Sequence, residues 1–201
     1  MKKTLLFDID HTLLDTEKLK VILLEKVEAV IGKSLEEIIP VRNTYLKSLN
    51  KGTDFSPKDY LRALSENFSV NIDYLKKAFF EDSNFKKVLY PETQGVLKDL
   101  KNNFQLGIFS EGFESFQNAK LKKSGIYDYF DPKIIIIKRR KTEKESLEII
   151  PKGALVVDDN LEVIEELTKN KIKAIWLNRN DSENKSNFSS IKTLSELPKV
   201  T

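Results

Sequence analysis

Apolar residues occur along the chain in several short runs that are too brief for helices and are bounded by polar residues. Runs of this kind are typical of strands buried on both faces of a sheet. They predict strands at residues 5–7, 105–109, 134–137, 154–157 and 172–177. The run at 134–137 consists of four isoleucines, whose β-branched side chains favour the strand assignment further.

Amphipathic stretches at helical spacing separate these runs. They predict helices at residues 17–31, 40–49, 57–68, 73–80, 93–103, 116–124, 142–150 and 161–170. Ser56 and Pro57 have the residue types of an N-cap and a first helical position, and Asn160 has that of an N-cap. Residues 181–190 are rich in Asn and Ser, which predicts a flexible loop, and residues 191–197 predict a short closing element.

Strands and helices alternate on both sides of a long stretch, residues 34–89, that contains no convincing strand. This order predicts an α/β fold, a three-layer Rossmann-like parallel sheet with helices on both faces. An all-helical insertion follows the first strand. We assign residues 1–15 and 90–201 to the α/β core and residues 16–89 to the insertion. Most of the aromatic residues noted in it (Tyr45, Phe55, Tyr60, Phe68, Tyr74, Phe79 and Phe80) are expected in its core.

Composition excludes several classes of site. The 34 basic and 31 acidic residues nearly cancel, at +3, so charge gives no argument for a nucleic-acid or membrane partner. The chain has no cysteine, which excludes disulfides and thiolate zinc sites, and its single histidine excludes a multi-histidine metal site and disfavours a Ser-His-Asp triad. No apolar run reaches membrane-spanning length, and the first is too short for a secretory signal, so a cytoplasmic protein is expected.

Polar residues follow four of the predicted strands at the point where each ends. Asp8 and Asp10 follow the first, Ser110 the second, a basic run at residues 138–141 the third, and Asp158 with Asp159 the fourth. An acidic turn after one strand would be unremarkable, but the carboxyl ends of parallel strands meet at one edge, where ligands bind. Acids for a hard cation such as Mg²⁺, a hydroxyl and a lysine together suit a phosphate group.

The same residues in the same order resemble a known family. The motif Asp8-Ile9-Asp10-His11-Thr12, then Ser110, then Lys141, then Asp158-Asp159 is similar to the haloacid dehalogenase superfamily of phosphohydrolases, over essentially the whole chain. The helical insertion resembles the cap of the phosphoglycolate-phosphatase-like branch. The stretches at residues 117–121 and 129–131 also resemble that branch.

The resemblance implies a role for each matching residue. Asp8 would be the nucleophile, Asp10 the general acid and base, and Lys141 a cation between Asp8 and the phosphate. The phosphate would be bound, or its loop ordered, by residues of two motifs: Thr12, Ser110, Glu111 and Gly112. Mg²⁺ would be bound by the Asp8 side chain, the Asp10 carbonyl, Asp159 and Asp158, the last at a position that varies in the family.

The resemblance implies a Mg²⁺-dependent phosphohydrolase that cleaves a small phosphomonoester, a phosphorylated metabolite, through an aspartyl-phosphate intermediate. Dehalogenases of the family lack the equivalent of Asp10, so its presence argues against dehalogenation. A phosphomutase of the same fold and a non-catalytic binder of a phosphorylated ligand stay open, because the motifs do not separate them. Residues 155–160 also resemble the opening of a bacterial receiver domain, but too little chain follows.

The sequence departs from the family pattern or offers a choice at several positions of the site. Many relatives have a third acid where this chain has Val163. Lys138 competes with Lys141 for the role of site lysine, and we favour Lys141 because it stands at the corner between strand and helix. We expect His11 to be structural or solvated and Trp176 to lie in the core.

The insertion is expected to set substrate specificity. Four of its residues have side chains suited to binding a ligand, although surface or packing roles are more common for such residues: Arg42, Tyr45, Lys47 and Arg62. The substrate is not identified by the sequence. The oligomeric state is also open, with a monomer favoured.

Overall fold

The computed structural model describes residues 2–179 and 187–200 of the chain. Six strands of this part form one parallel sheet in the order β3-β2-β1-β4-β5-β6. The strands are β1 Lys3–Phe7, β2 Phe104–Glu111, β3 Ile135–Lys138, β4 Leu155–Asp158, β5 Lys173–Leu177 and β6 Ser190–Ile191. The five predicted strands are present, and the predicted α/β fold is confirmed.

The sheet is covered on both faces, as the apolar runs require. Because successive side chains of a strand point to opposite faces, Leu5 and Phe7 of β1 pack in one apolar cluster and Leu6 in another. All three side chains are fully buried. The second cluster also holds Leu147 and Leu167 from helices on its side of the sheet.

Eight helices of the described residues agree with the predicted positions to within a few residues at most ends, and the two at Asp82–Lys86 and Leu197–Val200 were not predicted as helices. Those of the insertion are α1 Thr16–Ile31, α2 Leu35–Lys47, α3 Pro57–Phe68, α4 Ile72–Phe79 and α5 Asp82–Lys86. The others are α6 Thr93–Leu100, α7 Glu114–Ser124, α8 Lys144–Glu148, α9 Leu161–Lys169 and α10 Leu197–Val200. None of them has the length and apolar character needed to cross a bilayer.

Helix α2 differs from its predicted start at Pro40. It begins five residues earlier, after Ser34, and Pro40 lies inside it. The Glu37 carboxylate accepts a hydrogen bond from the Ser34 backbone N at 3.2 Å, so a capping interaction sets the start. Pro40 is the sixth residue of the helix, where it cannot donate the usual backbone hydrogen bond, and the helix nevertheless continues past it.

The two chain crossings between the insertion and the sheet run side by side. The Asp15 backbone N donates to the Val88 carbonyl at 2.8 Å, and Leu14 pairs with Leu89 in an isolated bridge. The Thr93 hydroxyl, fully buried, donates to the Leu13 carbonyl at 3.1 Å. This arrangement suits a joint, but the division into residues 1–15, 16–89 and 90–201 stays a prediction.

The C-terminal part of the fold is only partly described. Residues 181–186 of the predicted flexible loop lie outside the described residues. The described remainder leads into β6, a 3-10 turn at Leu194–Glu196 and α10, which make up the predicted closing element.

Candidate active site

The site lies where the strand order reverses. β1 and β4 are neighbours, and the chain leaves them for opposite sides of the sheet, which opens a crevice beyond their carboxyl ends. Asp8 follows β1, and its backbone N donates to Val157 of β4 at 2.9 Å. This pairing places Asp8 next to Asp158, the last residue of β4, and Asp159, the first residue after it.

Lys141 joins the two motifs that the sequence separates by more than a hundred residues. Its Nζ lies 2.8 Å from Asp8 Oδ1 and 2.5 Å from Asp158 Oδ2, and all three side chains are buried. Burial opposes the charged form of the lysine, but the Asp158 and Asp8 carboxylates outweigh it and raise the pKa of Lys141 above its usual range. The ammonium therefore stays charged.

Lys138, the competing lysine, lies elsewhere. It is the last residue of β3, where its carbonyl accepts from the Gly112 backbone N at 2.8 Å. Its side chain forms no ion pair with a described residue, in contrast to that of Lys141. The geometry thus favours Lys141, and kinetics must still test its role.

Three carboxylates crowd around this single cation. Oxygens of Asp8, Asp158 and Asp159 lie within 4.8 Å of one another. Burial, together with repulsion from Asp8, raises the pKa of both Asp158 and Asp159. A cluster with more negative than positive charge and only oxygen ligands suits a hard divalent cation such as Mg²⁺.

The members of this cluster are not equivalent. Both Asp158 oxygens already have protein partners, Lys141 on one and the Asn160 backbone N, at 2.9 Å, on the other. Asp159 is held through its carbonyl, which accepts from Trp176 Nε1 at 3.0 Å. Trp176 is buried as predicted, and it also fixes the loop that carries Asp159. Val163, at the position of the missing third acid, lines the cavity beside the cluster.

Asp10 is held by contacts that the sequence interpretation did not assign. Lys120 Nζ lies 2.6 Å and 2.7 Å from its two oxygens, Gln117 Nε2 donates to it at 2.8 Å and the Thr16 hydroxyl at 2.7 Å. Burial opposes ionisation, but Lys120, Gln117 and Thr16 outweigh it and hold the pKa of Asp10 well below its usual range. Asp10 is therefore a carboxylate in this arrangement.

The turn after Asp10 is fixed by a residue that follows β5. His11 adopts a left-handed conformation with φ of 56°, which is uncommon for a residue other than glycine. Arg179, just after β5, donates to the His11 carbonyl at 3.2 Å and to the Thr12 carbonyl at 2.9 Å. Arg179 is itself paired with Glu92 at 2.8 Å and lies over the Tyr90 ring.

His11, expected to be structural or solvated, has bonded backbone groups and a partly exposed ring. Its backbone groups are bonded to Arg179 and to the Thr16 hydroxyl, and its ring lies 3.6 Å from Glu17. The side chain is 39% exposed, and the residue also lines the cavity.

The predicted phosphate-binding residues lie around the same edge. Thr12 and Ser110 are buried, and the Thr12 hydroxyl has no hydrogen-bond partner among the described residues. Gly112 has φ of 136°, and a Cβ there would lie 3.0 Å from Gln117 Nε2. Glycine at this position therefore leaves room for the Gln117 amide, which also donates to the Glu111 carbonyl at 2.7 Å.

The Glu111 carboxylate bonds to protein groups. It accepts from the Lys141 backbone N at 3.0 Å and from the Thr53 hydroxyl at 2.9 Å. A carboxylate repels a phosphate, so a contribution of Glu111 to phosphate binding would have to come from its backbone. Its side chain instead connects the site lysine to the insertion.

A second set of contacts ties the insertion to the core close by. Asp54 forms ion pairs with Arg139 and Arg140, and its bond to Arg140 Nη2 measures 2.8 Å. These arginines belong to the basic run at residues 138–141 that also contains Lys141. Their positions between β3 and Lys141 bring the insertion against the loop that supplies the site lysine.

A cavity of about 640 Å³ joins these groups to the insertion. Its polar end is lined by Asp8, Asp10, Lys120, Lys141 and Asp159. Its apolar lining comes from α1, α2, the following loop, α3, α4 and the start of α7: Leu19, Leu23, Leu24, Leu46, Leu49, Phe55, Tyr60, Phe79, Phe113 and Phe116. A volume of this size accommodates a small organic ligand.

One of the four candidate ligand-binding residues of the insertion, Arg42, lines this cavity. Tyr45 instead bonds Ser56 and packs on Phe55. Lys47 is exposed at the end of α2, and Arg62 is exposed and lies 3.6 Å from Asp59 on its own helix.

Comparison with known proteins agrees with this geometry. Residues 2–161 match the family model of the haloacid dehalogenase-like hydrolases. No curated protein matches the sequence. The part of the chain that carries all four motifs is therefore the part that the family model covers.

Solved structures with the same fold are similar over almost their whole length. The HAD phosphatase from Thermococcus onnurineus is 26% identical, with a TM-score of 0.64, and the match covers 100% of this chain and 97% of that one. The magnesium-bound HAD-hydrolase YfnB from Bacillus subtilis is 20% identical, with a TM-score of 0.67 and coverage of 99% and 98%. A 2-haloacid dehalogenase from Pseudomonas syringae pv. Tomato is 22% identical, with a TM-score of 0.66 and coverage of 100% and 98%. This chain belongs to the haloacid dehalogenase-like hydrolase family.

Proposed function

We propose that the protein is a Mg²⁺-dependent hydrolase of a small phosphomonoester and acts through an aspartyl phosphate on Asp8. The observation that carries the proposal is the meeting of Asp8, Asp10 and Lys141 in one cavity. It supplies a nucleophile, a second carboxylate and a cation within reach of one bound group. The 26% identical HAD phosphatase supports the same reaction class.

In the first step, the free oxygen of Asp8 attacks the phosphorus atom. The bond from phosphorus to the ester oxygen breaks, and that oxygen takes the proton of Asp10, which reacts here in its protonated form and regains the proton from water in the second step. Lys141 neutralises charge on Asp8 and on the phosphoryl oxygens. Lys120 opposes this proton transfer, because its contact with Asp10 favours the ionised carboxylate.

In the second step, Asp10 is the carboxylate that Lys120 stabilises. It accepts a proton from a water molecule whose oxygen attacks the phosphorus atom, and the bond to Asp8 breaks. Inorganic phosphate leaves and Asp8 is again a free carboxylate. The apolar lining of the cavity limits access of other water molecules to the intermediate.

The cluster of Asp8, Asp158 and Asp159 fits a resident Mg²⁺, with the Asp10 carbonyl as a further ligand. Its excess negative charge and the raised pKa of Asp158 and Asp159 are the observations that support the fit. When bound, the cation stabilises the negative charge of the transferring phosphoryl group. The magnesium named for YfnB supports this choice of metal.

Asp10 also bears on the alternative of dehalogenation, the activity of one structural neighbour. A halide leaves without a proton, so dehalogenation needs no acid beside the nucleophile, whereas an alkoxide leaving group does. Lys120, Gln117 and Thr16 hold the Asp10 carboxylate in the site. A carboxylate held there supports the phosphoryl reaction, because that reaction requires a group that transfers protons.

A panel of phosphorylated metabolites and para-nitrophenyl phosphate tests the proposal. Phosphate release should occur with Mg²⁺ and cease after exhaustive chelation. Isomerisation without phosphate release would make the protein a mutase, and binding without turnover would make it a binder. Chloride release from a haloacid without any phosphatase activity would replace the proposal.

A further inference from the structure

Arg42 differs from every other arginine of the chain. The sequence contains five arginines, and Arg62, Arg139, Arg140 and Arg179 each have a carboxylate partner in the structure. Arg42, on α2, forms no ion pair with a described residue. The one hydrogen bond from its guanidinium to such a residue goes to the side chain of its neighbour Asn43, at 3.4 Å.

The surroundings of Arg42 make this an unusual place for an unpaired cation. The residue is half-buried and lines the cavity, and its companions on α1 and α2 there include Leu23, Leu24 and Leu46. Desolvating a charge beside apolar side chains costs free energy unless an opposite charge or an acceptor compensates it. The described part of the chain supplies no anion for Arg42, so a ligand of the cavity is the natural source.

Tyr60 provides a second, independent observation at the same cavity. It lines the cavity from α3 and is only 4% exposed, yet no hydrogen bond joins its hydroxyl to another described residue. Its ring is fixed by Phe55 and Phe79. Burial raises the pKa of Tyr60 to about 12, with the charge of Arg42 acting in the opposite direction, so the hydroxyl keeps its proton and can donate.

We propose that Arg42 and Tyr60 form a carboxylate-binding subsite in the insertion, so that the substrate is a phosphomonoester whose apolar leaving group carries a carboxylate. This inference rests on the proposed function for the phosphoryl end of the substrate. The guanidinium donates two parallel hydrogen bonds to a carboxylate, and the phenol adds a third donor. The leucine and phenylalanine lining receives the apolar part.

The number of positive charges favours a carboxylate over a second phosphate group. Lys20, another basic residue that lines the cavity from the insertion, is already 2.6 Å from Glu17. A single guanidinium balances the one negative charge of a carboxylate, whereas a phosphate monoester near pH 7 carries nearly two. The aromatic rings around Tyr60 also suit a flat leaving group.

Two matched esters test the subsite by turnover. The two esters are para-(carboxymethyl)phenyl phosphate and para-(carbamoylmethyl)phenyl phosphate, which match each other in shape. They differ in charge, and a methylene group keeps that difference from changing the leaving-group ability of the phenol. The carboxylate ester should have a kcat/KM at least about tenfold higher, the ratio that one hydrogen bond to a charged group supplies. Arg42→Met should bring this ratio close to one, and Arg42→Lys should give an intermediate ratio.

Arg62→Met is the matched control, because Arg62 is exposed on α3 and paired with Asp59. It should leave the ratio between the two esters as in the parent protein. Tyr60→Phe removes a single hydroxyl and should lower the ratio less than Arg42→Met does. A ratio that is near one in the parent protein, or that survives Arg42→Met, overturns the subsite.

Calorimetry separates failure of the subsite from failure of the proposed function. The corresponding benzylphosphonates, which cannot be hydrolysed, should bind in the presence of Mg²⁺ with the same preference for the carboxylate. That preference without hydrolysis of either ester would sustain the subsite and reject the hydrolase. Equal affinities, or binding of neither compound, would reject the subsite. Tighter binding of para-xylylene bisphosphonate would show that the subsite recognises a second phosphoryl group instead of a carboxylate.

Discussion

Lys141 and Lys138 offer a matched pair of substitutions that tests how the site is assembled. Each is replaced by Met, which keeps most of the apolar stem and removes the charge. The Lys141 side chain is 6% exposed and lies between Asp8 and Asp158, which are equally buried or more so. The Lys138 side chain has no ionic partner among the described residues.

The structure gives the size of the expected effects. Removing one partner of a buried ion pair lowers the free energy of unfolding by ~3–5 kcal/mol. Protonation of Asp158 offsets part of this cost. For Lys141→Met without Mg²⁺ we therefore expect a decrease near the lower end of that range. For a chain of this length ~3 kcal/mol lowers Tm by roughly 6–12 °C. Lys138→Met should change the free energy of unfolding by less than about 0.5 kcal/mol.

Turnover should separate the two variants further. Lys141→Met leaves Asp8 and the phosphoryl group facing each other with one cation fewer, and kcat should fall at least ~10²-fold. Thermal melts with and without Mg²⁺ and steady-state kinetics with para-nitrophenyl phosphate measure both effects. If Lys138→Met is the crippled variant and Lys141→Met turns over normally, the assignment of the site lysine is wrong.

Three other predictions follow from the same contacts. Lys120→Met should reduce turnover of para-nitrophenyl phosphate, whose leaving group needs no proton, at least as much as that of an alkyl phosphate, because Lys120 stabilises the ionised Asp10 that accepts a proton in the second step and opposes the proton transfer of the first. Lys122→Met, at an exposed site on the same helix, should change neither, and a loss confined to the alkyl phosphate would contradict this role of Lys120. Without metal, stability should fall as pH rises from ~4 towards 7, because burial and crowding raise the pKa of Asp158 and Asp159 to about 7 and the folded chain then holds more protons than the unfolded one. Mg²⁺ should abolish that fall, and metal-free melts at pH ~4 and pH ~7 that show no such difference would contradict the cluster's electrostatics. Hydrogen exchange near residues 15–17 and 89–91, where the chain passes between the core and the insertion, should be faster than in the strands. It should be faster still in Asp54→Asn, which removes the ion pairs between the insertion and the core. Exchange at these residues as slow as in the sheet would reject a moving insertion.

The fold was predictable because its signals are local. The isoleucine run of β3 and the apolar run of β1 are strands by composition alone, and Ser56 with Pro57 marks the start of α3. The start of α2 was missed because the capping interaction of Ser34 with Glu37 set the boundary instead of Pro40. Signals that compete within a few residues are decided by hydrogen bonds that the pattern does not show.

The site was predictable only where it consists of motifs. Asp8, Asp10, Lys141 and Asp159 stand directly after strands or at their corners, so their convergence follows from a parallel sheet. Lys120 was noted only as part of a stretch that resembles one branch of the family. Lys120 and Asp10 are 110 positions apart in the sequence, and the packing of α7 beside the sheet brings them into contact.

Arg179 and Glu111 show the same limit. Arg179 adjoins the Asn- and Ser-rich stretch, whose composition indicated no role in the site, yet it holds the carbonyls of His11 and Thr12. Glu111 was assigned to phosphate binding from its position after Ser110, but its carboxylate connects Lys141 to Thr53. Roles that depend on side-chain direction require the tertiary structure.

The central claim is that Asp8 accepts the phosphoryl group, and chemical trapping tests it most directly. The protein is mixed with substrate and Mg²⁺, quenched during turnover and reduced with borohydride, which converts an aspartyl phosphate to homoserine. Peptide mass spectrometry then locates the modified residue. We predict homoserine at residue 8, dependent on both substrate and Mg²⁺ and absent from Asp8→Asn. Phosphate release without homoserine at residue 8, or with homoserine at Asp10 or Asp159 instead, would contradict the account.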